Sequence, residues 1–208
     1  MPIKKLIHNI WIGPKKIPDG VFKWKEINPE CEHILWDEEK IQEEFPGIFS
    51  NNIFVNRLYN EKIFHGVSDI MRLYILYRFG GVYFDADCTP LRKLDDEIFN
   101  NNFFSVYENE SCMRGLVANG VMGCLKKTVL LKRMINNLKS RDLTEPSWIA
   151  TGPRFLTESL AAYSGQYRIY PSYYFLPEHH TGLKYTGDFK PYCSHFWGST
   201  IGNYTGGY

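Results

Sequence analysis

The sequence has little net charge, no long apolar run and no closely spaced cysteine pair. Its 208 residues carry 24 Lys and Arg against 23 Asp and Glu, a net charge of +1. Charge therefore gives no indication of a nucleic-acid partner or an acidic membrane surface. No window approaches the roughly 18 uninterrupted apolar residues of a transmembrane helix, and the apolar stretch at 6–13 is too short for a secretory signal. We expect no transmembrane segment, no targeting segment and no nucleic-acid partner.

The cysteines form neither a disulfide framework nor a structural zinc motif. There are five of them, an odd number, and none lies in a CxxC pair. Scattered cysteines of this kind are typical of reduced thiols in a reducing compartment, so the expected location is cytoplasmic. The five residues are Cys31, Cys88, Cys112, Cys124 and Cys193.

Strand-like and helix-like segments alternate along the whole chain. Strands are predicted at 4–13, 32–36, 82–84, 102–108, 115–123 and 167–170, and helices at 18–28, 37–45, 55–64, 66–80, 125–140 and 152–163. Such alternation predicts an α/β fold whose mixed sheet is mainly parallel and flanked by helices. No repeat, low-complexity tract or linker interrupts it, so we expect a single domain over residues 1–208. The tail from Pro171 is predicted to be aromatic loop.

The helix predicted at 66–80 is the best defined in the sequence. Ser68 is its expected N-cap, and Gly80-Gly81 follows its last residues. Its surface is apolar nearly all round, which is typical of a buried helix. It runs directly into the short strand at 82–84.

Two aspartates, Asp85 and Asp87, follow that strand with only Ala86 between them. Residues two apart in an extended segment point to the same side, and α/β sheets bind ligands beyond the carboxyl ends of their strands. Two converging carboxylates repel each other unless a cation lies beside them. A divalent cation that also accepts diphosphate oxygens satisfies this requirement, although solvated aspartates in a turn would leave the same short motif.

Asp69 and Arg72 lie three residues apart on the buried helix, so they share one of its faces. One interpretation is a local ion pair that stabilises the helix. The other is that both side chains reach a polar ligand near Asp85 and Asp87. Aspartate accepts hydrogen bonds from sugar hydroxyls, and arginine binds hydroxyls or phosphate.

The run "SDIMRLYILYRFGGVYFDAD" at 68–87 resembles the central motif of glycosyltransferase family 32, the DXD-containing sugar transferases. These include fungal mannosyltransferases, capsule-building enzymes and, more distantly, glucosylating bacterial toxins. "IHNIWIGP" at 7–14, "ANGVMG" at 118–123 and "SHFWGST" at 194–200 are similar to the family's opening, middle and closing segments, in the family's order. Thr200 stands where the family has a tryptophan.

The resemblance implies a GT-A type, Rossmann-like nucleotide-binding fold, a nucleotide-sugar donor and a Mn²⁺ or Mg²⁺ cofactor. Its implied metal ligands are Asp85, Asp87 and His195. The catalytic residues it implies are Asp69, Arg72, Asp85 and Asp87. The donor-binding residues it implies are Ile10, Trp11, Asp69, Arg72, Tyr83, Asp85, Ala86, Asn119, Trp197 and Ser199.

The acceptor is not encoded in any motif, so a glycan, a glycolipid and a protein all remain open. UDP-sugar is the first expectation for the donor and GDP-mannose the second. Retention at the anomeric carbon follows from the resemblance alone.

Five aromatic or histidine positions carry simpler alternatives. Trp11 is as well suited to plain core as to stacking on a base. His8 in a buried strand is expected to be structural, and the pair at 179–180 is expected at the surface. His195 suits a metal ligand but also an ordinary loop histidine.

A phosphatase is the rival interpretation. "VYFDADCT" at 82–89 also fits the nucleophile motif of haloacid-dehalogenase phosphatases, in which Asp85 would attack phosphate and Asp87 would act as acid and base. That motif usually lies on the first strand, whereas some 80 residues precede it here. Asp95-Asp96 also follows too closely to supply the second acidic pair.

Overall fold

The computed structural model describes residues 2–184, 187–198 and 200–202. Its strands are β1 Leu6–Ile10, β2 Glu32–Trp36, β3 Gly81–Phe84, β4 Cys88–Pro90, β5 Phe103–Asn109, β6 Met113–Cys124, β7 Arg168–Tyr170 and β8 Cys193–His195. Its α-helices are α1 Gly20–Ile27, α2 Glu38–Glu44, α3 Ile48–Asn51, α4 Ile53–Asn60, α5 Phe64–Phe79, α6 Asp96–Phe99, α7 Val129–Asn137, α8 Ser147–Ala150 and α9 Pro153–Ala161. Short 3₁₀ turns lie at Leu138–Ser140 and Ser172–Tyr174.

Within the described ranges, six strands form the main sheet in the order β2-β1-β3-β6-β5-β7. The pairs β1–β2, β1–β3 and β5–β7 are parallel, and β6 is antiparallel to both of its neighbours. The predicted α/β class with a mainly parallel mixed sheet is confirmed.

Apolar side chains cover both faces of this sheet. Side chains alternate along each strand, so Tyr83 joins the cluster that α5, α7 and α9 bury, while Val82 and Phe84 join the opposite cluster with α1 and α6. The sheet is therefore a middle layer between two helical layers. No helix among the described residues is long and apolar enough to cross a membrane.

Helix α5 begins earlier than the sequence suggested. Its first residue is Phe64, so Ser68 lies inside the helix and the prediction of a Ser68 cap is wrong. The reason is the turn before it, where α4 ends at Asn60 and Lys62 adopts a positive φ of 58°. The expected end of the helix is confirmed, because Gly80 takes a φ of 67°, which favours glycine.

The C-terminal tail is more ordered than the predicted loop. Its strand β8 pairs antiparallel with β4, and the register places His195 opposite Cys88. Outside this ladder, the Phe196 amide donates to the Asp87 carbonyl at 3.1 Å. A three-residue strand leaves almost no periodic signal, so this part of the prediction was wrong. The pairing brings His195 to the turn that carries the two aspartates.

His8 links its own strand β1 to β2 and to Gly80 at the end of α5. This agrees with its expected structural role. It is completely buried in β1. The Trp36 indole donates to its Nδ1 at 3.0 Å, so its Nε2 carries the proton and donates to the Gly80 carbonyl at 2.8 Å. Burial lowers the pKa of His8 from 6.5 to about 4, although the Gly80 hydrogen bond opposes this. The folded protein therefore keeps His8 neutral.

Stability should accordingly fall in mild acid. Because the unfolded chain binds a proton near pH 6.5 and the folded chain only near pH 4, the contribution of His8 is constant above pH 6.5 and is lost as the pH falls toward 4. The expected loss is about 3 kcal/mol. Urea unfolding at several pH values measures the free energy of unfolding. This free energy should fall between pH 6.5 and 4 in wild type and in the exposed control His65→Gln. In His8→Gln the loss between pH 6.5 and 4 should be smaller by about 3 kcal/mol, and an unchanged loss there would contradict the assignment.

Candidate active site

A cleft of about 1320 Å³ opens at the carboxyl ends of β1 and β3. Its floor is the turn at 85–87 and the facing part of β6, and the Asp85 amide donates to the Gly120 carbonyl at 2.8 Å. One wall comes from the corner between α4 and α5, and another from residues 143–153. The cleft therefore lies where ligands bind in open α/β sheets.

The two oxygens of Asp85 have separate environments. Oδ1 lies 2.9 Å from Nη2 of Arg72 and accepts a hydrogen bond from the Tyr83 hydroxyl at 2.8 Å. The Arg72 guanidinium also lies over the Tyr83 ring, 4.5 Å from its centroid. Oδ2 is turned the other way and lies 3.5 Å from Nε2 of His195. Asp85 is thus held by one oxygen and presents the other.

Asp87 repeats this arrangement with different partners. The Gly198 amide donates to its Oδ2 at 2.8 Å, and its Oδ1 lies 3.0 Å from Nε2 of His195. The Trp197 amide in turn donates to Nδ1 of His195 at 3.2 Å, which aims Nε2 at the aspartates. One oxygen of each aspartate therefore faces the same imidazole nitrogen.

These three atoms fit a divalent cation. Carboxylate oxygens suit Mg²⁺ and Mn²⁺, and imidazole extends the set toward Mn²⁺ and other transition metals. Burial by itself lowers the pKa of His195, but Cys88 and the two aspartates that it faces raise it well above its ordinary value. The environment thus favours positive charge at this point. Asp85, Asp87 and His195 are the residues that would hold the ion.

Asp69 and Arg72 belong to a buried network next to these carboxylates. Nη2 of Arg72 lies 3.1 Å from Oδ1 of Asp69, and Nη1 donates to the Asn119 carbonyl at 2.5 Å. The side-chain Nδ2 of Asn119 donates to Oδ1 of Asp69 at 2.7 Å, and the Thr151 hydroxyl donates to Oδ2 of Asp69 at 3.1 Å. Asp69 and Arg72 therefore form the ion pair of the first interpretation, and they also lie beside Asp85, as the second interpretation requires. Direct contact with a ligand stays a prediction.

The two carboxylates that share Arg72 differ in their proton affinity. Burial raises the pKa of Asp69, and Arg72 only partly offsets this effect. Burial also acts to raise the pKa of Asp85, but Arg72 and the hydrogen bond from His195 outweigh it and hold that pKa well below its usual range. Asp85 is therefore firmly ionised, as a metal ligand must be.

The remaining predicted donor residues sit around this centre. Ile10 and Ala86 are buried in the cleft wall, and Trp11 is half-buried there, with its indole donating to the Lys15 carbonyl at 2.7 Å. Trp197 lines the cleft beside His195, and Ser199 lies outside the described residues. The structure thus brings the described members of the predicted set into one cleft, while their contacts with a donor stay predictions.

Trp197 and Thr200 complete this side of the cleft. Trp197 has a positive φ of 59°, which is costly for a bulky residue and often marks a functional segment. Its indole donates to the Glu178 carbonyl at 2.8 Å. Thr200 is exposed and lines the cleft.

Sequence reasoning missed four polar residues of this region. His179 was expected at the surface, and this prediction is wrong, because the side chain is almost fully buried against Glu108. Its neighbour His180 is exposed and lines the cleft, as does Glu108. Thr151, which supports Asp69, lies just before the predicted helix at 152–163. Single polar residues without characteristic spacing gave no signal for these contacts.

Comparison with known proteins agrees with this geometry. Residues 14–104 match the family described as "Glycosyltransferase sugar-binding region containing DXD motif". That range contains Asp69, Arg72 and both aspartates of the 85–87 turn. Residues 14–104 thus carry the sugar-binding region of a DXD-containing glycosyltransferase. The resemblance seen in the sequence is confirmed.

The individual relatives of the chain are distant. The "Mannosyl phosphorylinositol ceramide synthase SUR1" of Saccharomyces cerevisiae is 29% identical over 170 residues, which are 74% of this chain and 41% of the relative. The chain spans between 26% and 66% of the length of the curated relatives it matches.

Two solved structures show that the fold is of the GT-A type. "PaToxG Glycosyltransferase" is 20% identical with a TM-score of 0.62, over 77% of this chain and 70% of that one. The UDP-bound glycosyltransferase domain of the YGT toxin is 12% identical with a TM-score of 0.55, over 81% and 79% of the two chains. The predicted fold type is confirmed.

The rival phosphatase interpretation is not supported. The family model that matches the chain describes a glycosyltransferase and not a phosphatase. Arg72 and Tyr83 hold one oxygen of Asp85, while the other faces His195. Two strands of the sheet, β1 and β2, also precede β3 in the chain.

Gly120 provides the space that lets Asp85 present Oδ2. A Cβ at this position would lie 2.4 Å from that oxygen, so Gly120→Ala should turn the carboxylate away from His195. We expect at least about a tenfold loss of Mn²⁺ affinity, comparable to the loss of a residue that orients a ligand. Calorimetric Mn²⁺ titration in the presence of UDP measures it. The double variant with Asp85→Ala should be no weaker than Asp85→Ala alone, and additive losses would contradict this mechanism.

Proposed function

We propose that this protein transfers a sugar from a nucleotide-diphosphate sugar to an acceptor hydroxyl, with a divalent metal ion and with retention at the anomeric carbon. The observation that carries the proposal is that one oxygen of Asp85 and one of Asp87 face Nε2 of His195 in a large cleft. Mn²⁺ is the first expectation for the metal and Mg²⁺ the second.

The size of the cleft supports a two-substrate reaction. Its volume of about 1320 Å³ exceeds the roughly 300–1,000 Å³ of an ordinary small-molecule site. A donor that lay along the 85–87 turn would leave room toward the wall at 143–153 for an acceptor. Binding of both substrates in one cleft supplies the proximity that group transfer needs.

Each residue of the site has its own proposed role. We infer that Trp11 and Ile10 form the wall for the base, and that Asp69 and Asn119 bind donor-sugar hydroxyls. Arg72 keeps Asp85 ionised and fixed. A divalent cation at the aspartates would neutralise charge on the departing diphosphate.

The contacts of Asp69 bear on whether the sugar passes through a covalent intermediate with the protein. Hydrogen bonds and an ion pair from Asn119, Arg72 and Thr151 occupy both oxygens of this carboxylate, so it is poorly placed to act as a covalent nucleophile. We therefore favour attack by the acceptor hydroxyl on the face that the diphosphate leaves. A phosphate oxygen of the leaving group would accept the hydroxyl proton.

The proposal for the donor is a UDP-sugar first and GDP-mannose second. The glycosyltransferase domain of the YGT toxin, which has a similar fold, is UDP-bound in its crystal structure. The name of the Saccharomyces relative, a mannosyl transferase, keeps mannose as the second candidate. The acceptor class is left open between glycan, glycolipid and protein, because no described contact distinguishes among them.

Nucleotide and metal should bind with positive coupling. The protein offers three ligands, and the nucleotide phosphates would complete the shell. In calorimetric titrations Mn²⁺ should tighten UDP or GDP binding at least about tenfold relative to excess chelator. Asp87→Asn should abolish the tightening, and His195→Ala should reduce it less because it removes a neutral ligand.

The control for this titration is Asp96→Asn, which alters a strongly exposed side chain paired with Lys5 and should bind like wild type. Equal nucleotide affinity with and without metal would overturn the proposed site. Cleavage of a generic phosphomonoester that Asp85→Asn abolishes would instead restore the phosphatase interpretation.

A further inference from the structure

A second group of metal-ligand side chains lies next to Trp197, which also packs against His195. Glu108 is the second-last residue of β5, and His179 and His180 lie in the segment after the 3₁₀ turn Ser172–Tyr174. One ligand atom of each lies within 4.8 Å of the others. None of these residues belongs to the aspartate site.

Glu108 is a buried carboxylate without adequate compensation. Only 8% of its surface is exposed, and its hydrogen-bond contact among the described residues is with Nε2 of His179 at 3.4 Å. That distance is longer than the usual 2.7–3.2 Å or so of such a hydrogen bond. Burial raises the pKa of Glu108, and His180 and His195 only partly offset this effect, so the charge of an ionised Glu108 is only partly compensated.

The same distance suits a shared metal ion. Ligand atoms of a tetrahedral site with bonds of about 2.0–2.1 Å lie about 3.4 Å apart, which is the separation of Glu108 Oε1 and His179 Nε2. The Nδ1 of His179 lies 2.9 Å from the Thr181 hydroxyl, whose oxygen can accept its proton, and 3.4 Å from the Thr181 backbone nitrogen. A partner on the second ring nitrogen is the usual way in which a metal-binding histidine is oriented.

Both imidazoles are suited to metal binding in their neutral form. Burial lowers the pKa of His179 and of His180, and neutral imidazole is the form that binds metals. Their ring centroids lie 4.0 Å apart, so the two rings reach the same small volume. Glu108 and His180 both line the cleft, so an ion that they held would be accessible from the cleft.

We propose that Glu108, His179 and His180 hold a second divalent ion of the zinc class, with one coordination position open to the cleft. Two histidines and one glutamate form a ligand set that zinc accepts, with the fourth position left for water or a ligand. This site is separate from the aspartate site and rests on its own residues.

Such an ion would fix the wall of the cleft next to the aspartate site. The Trp197 indole packs edge-on against His179 and His180, with ring centroids 5.2 and 5.7 Å away, and it donates to the carbonyl of Glu178. Trp197 also packs on His195, 4.4 Å between centroids. The ion would therefore hold Trp197 against the ligand of the other site.

The test is zinc binding without nucleotide. The full chain is stripped with chelator and titrated with Zn²⁺ against a chromophoric competitor. Wild type and Asp87→Asn should each bind one equivalent at this site, because Asp87→Asn disables only the aspartate site. In the Asp87→Asn background, Glu108→Gln and His180→Ala should each weaken binding at least about tenfold. Co²⁺ in place of Zn²⁺ should give the visible absorption of a tetrahedral site.

The matched control is His65→Ala, which removes another exposed histidine of the same cleft and should leave zinc binding unchanged. Absence of Zn²⁺ binding by folded Asp87→Asn protein would overturn the proposal. Binding that survives both Glu108→Gln and His180→Ala would also overturn it. Because no nucleotide is present, this result is independent of the nucleotide–metal test of the sugar-transfer proposal.

Discussion

The placement of the Arg72 guanidinium between Asp69 and Asp85 is the interaction on which the site depends. The side chain is almost fully buried, and its N–H groups are engaged by Ser68, Asn119 and the two aspartates. Burial of one cation with two anions costs desolvation, and removal of one partner of such a group costs about 3–5 kcal/mol. The arrangement is therefore rigid, and it fixes which oxygen of Asp85 is presented to His195.

The fold brings separate parts of the chain to this network. Helix α5 supplies Asp69 and Arg72, β3 leads into the two aspartates, and β6 supplies Asn119 and the glycine that leaves room for Asp85. The short ladder between β4 and β8 then adds His195 from the far end of the sequence. A site assembled from four elements needs the rigidity of the sheet to hold its atoms within a few tenths of an ångström.

The sequence predicted the local secondary structure better than the contacts between distant parts of the chain. Strand β2 agrees with its predicted range, because apolar side chains bounded by polar residues report it directly. The Ser68 cap was wrong because an upstream turn, not local cap chemistry, sets the start of α5. Strand β8 and the burial of His179 depend on pairing across more than seventy residues, and no periodicity reports such contacts.

Anomalous X-ray diffraction from crystals grown with Mn²⁺ and a nucleoside diphosphate tests the central claim most directly. We predict an anomalous peak bonded to Asp85 Oδ2, Asp87 Oδ1 and His195 Nε2, with diphosphate oxygens completing its shell and Arg72 still bound to Asp85 Oδ1. A bound nucleotide with no metal at these three atoms, or a metal that displaces Arg72 from Asp85, would contradict it.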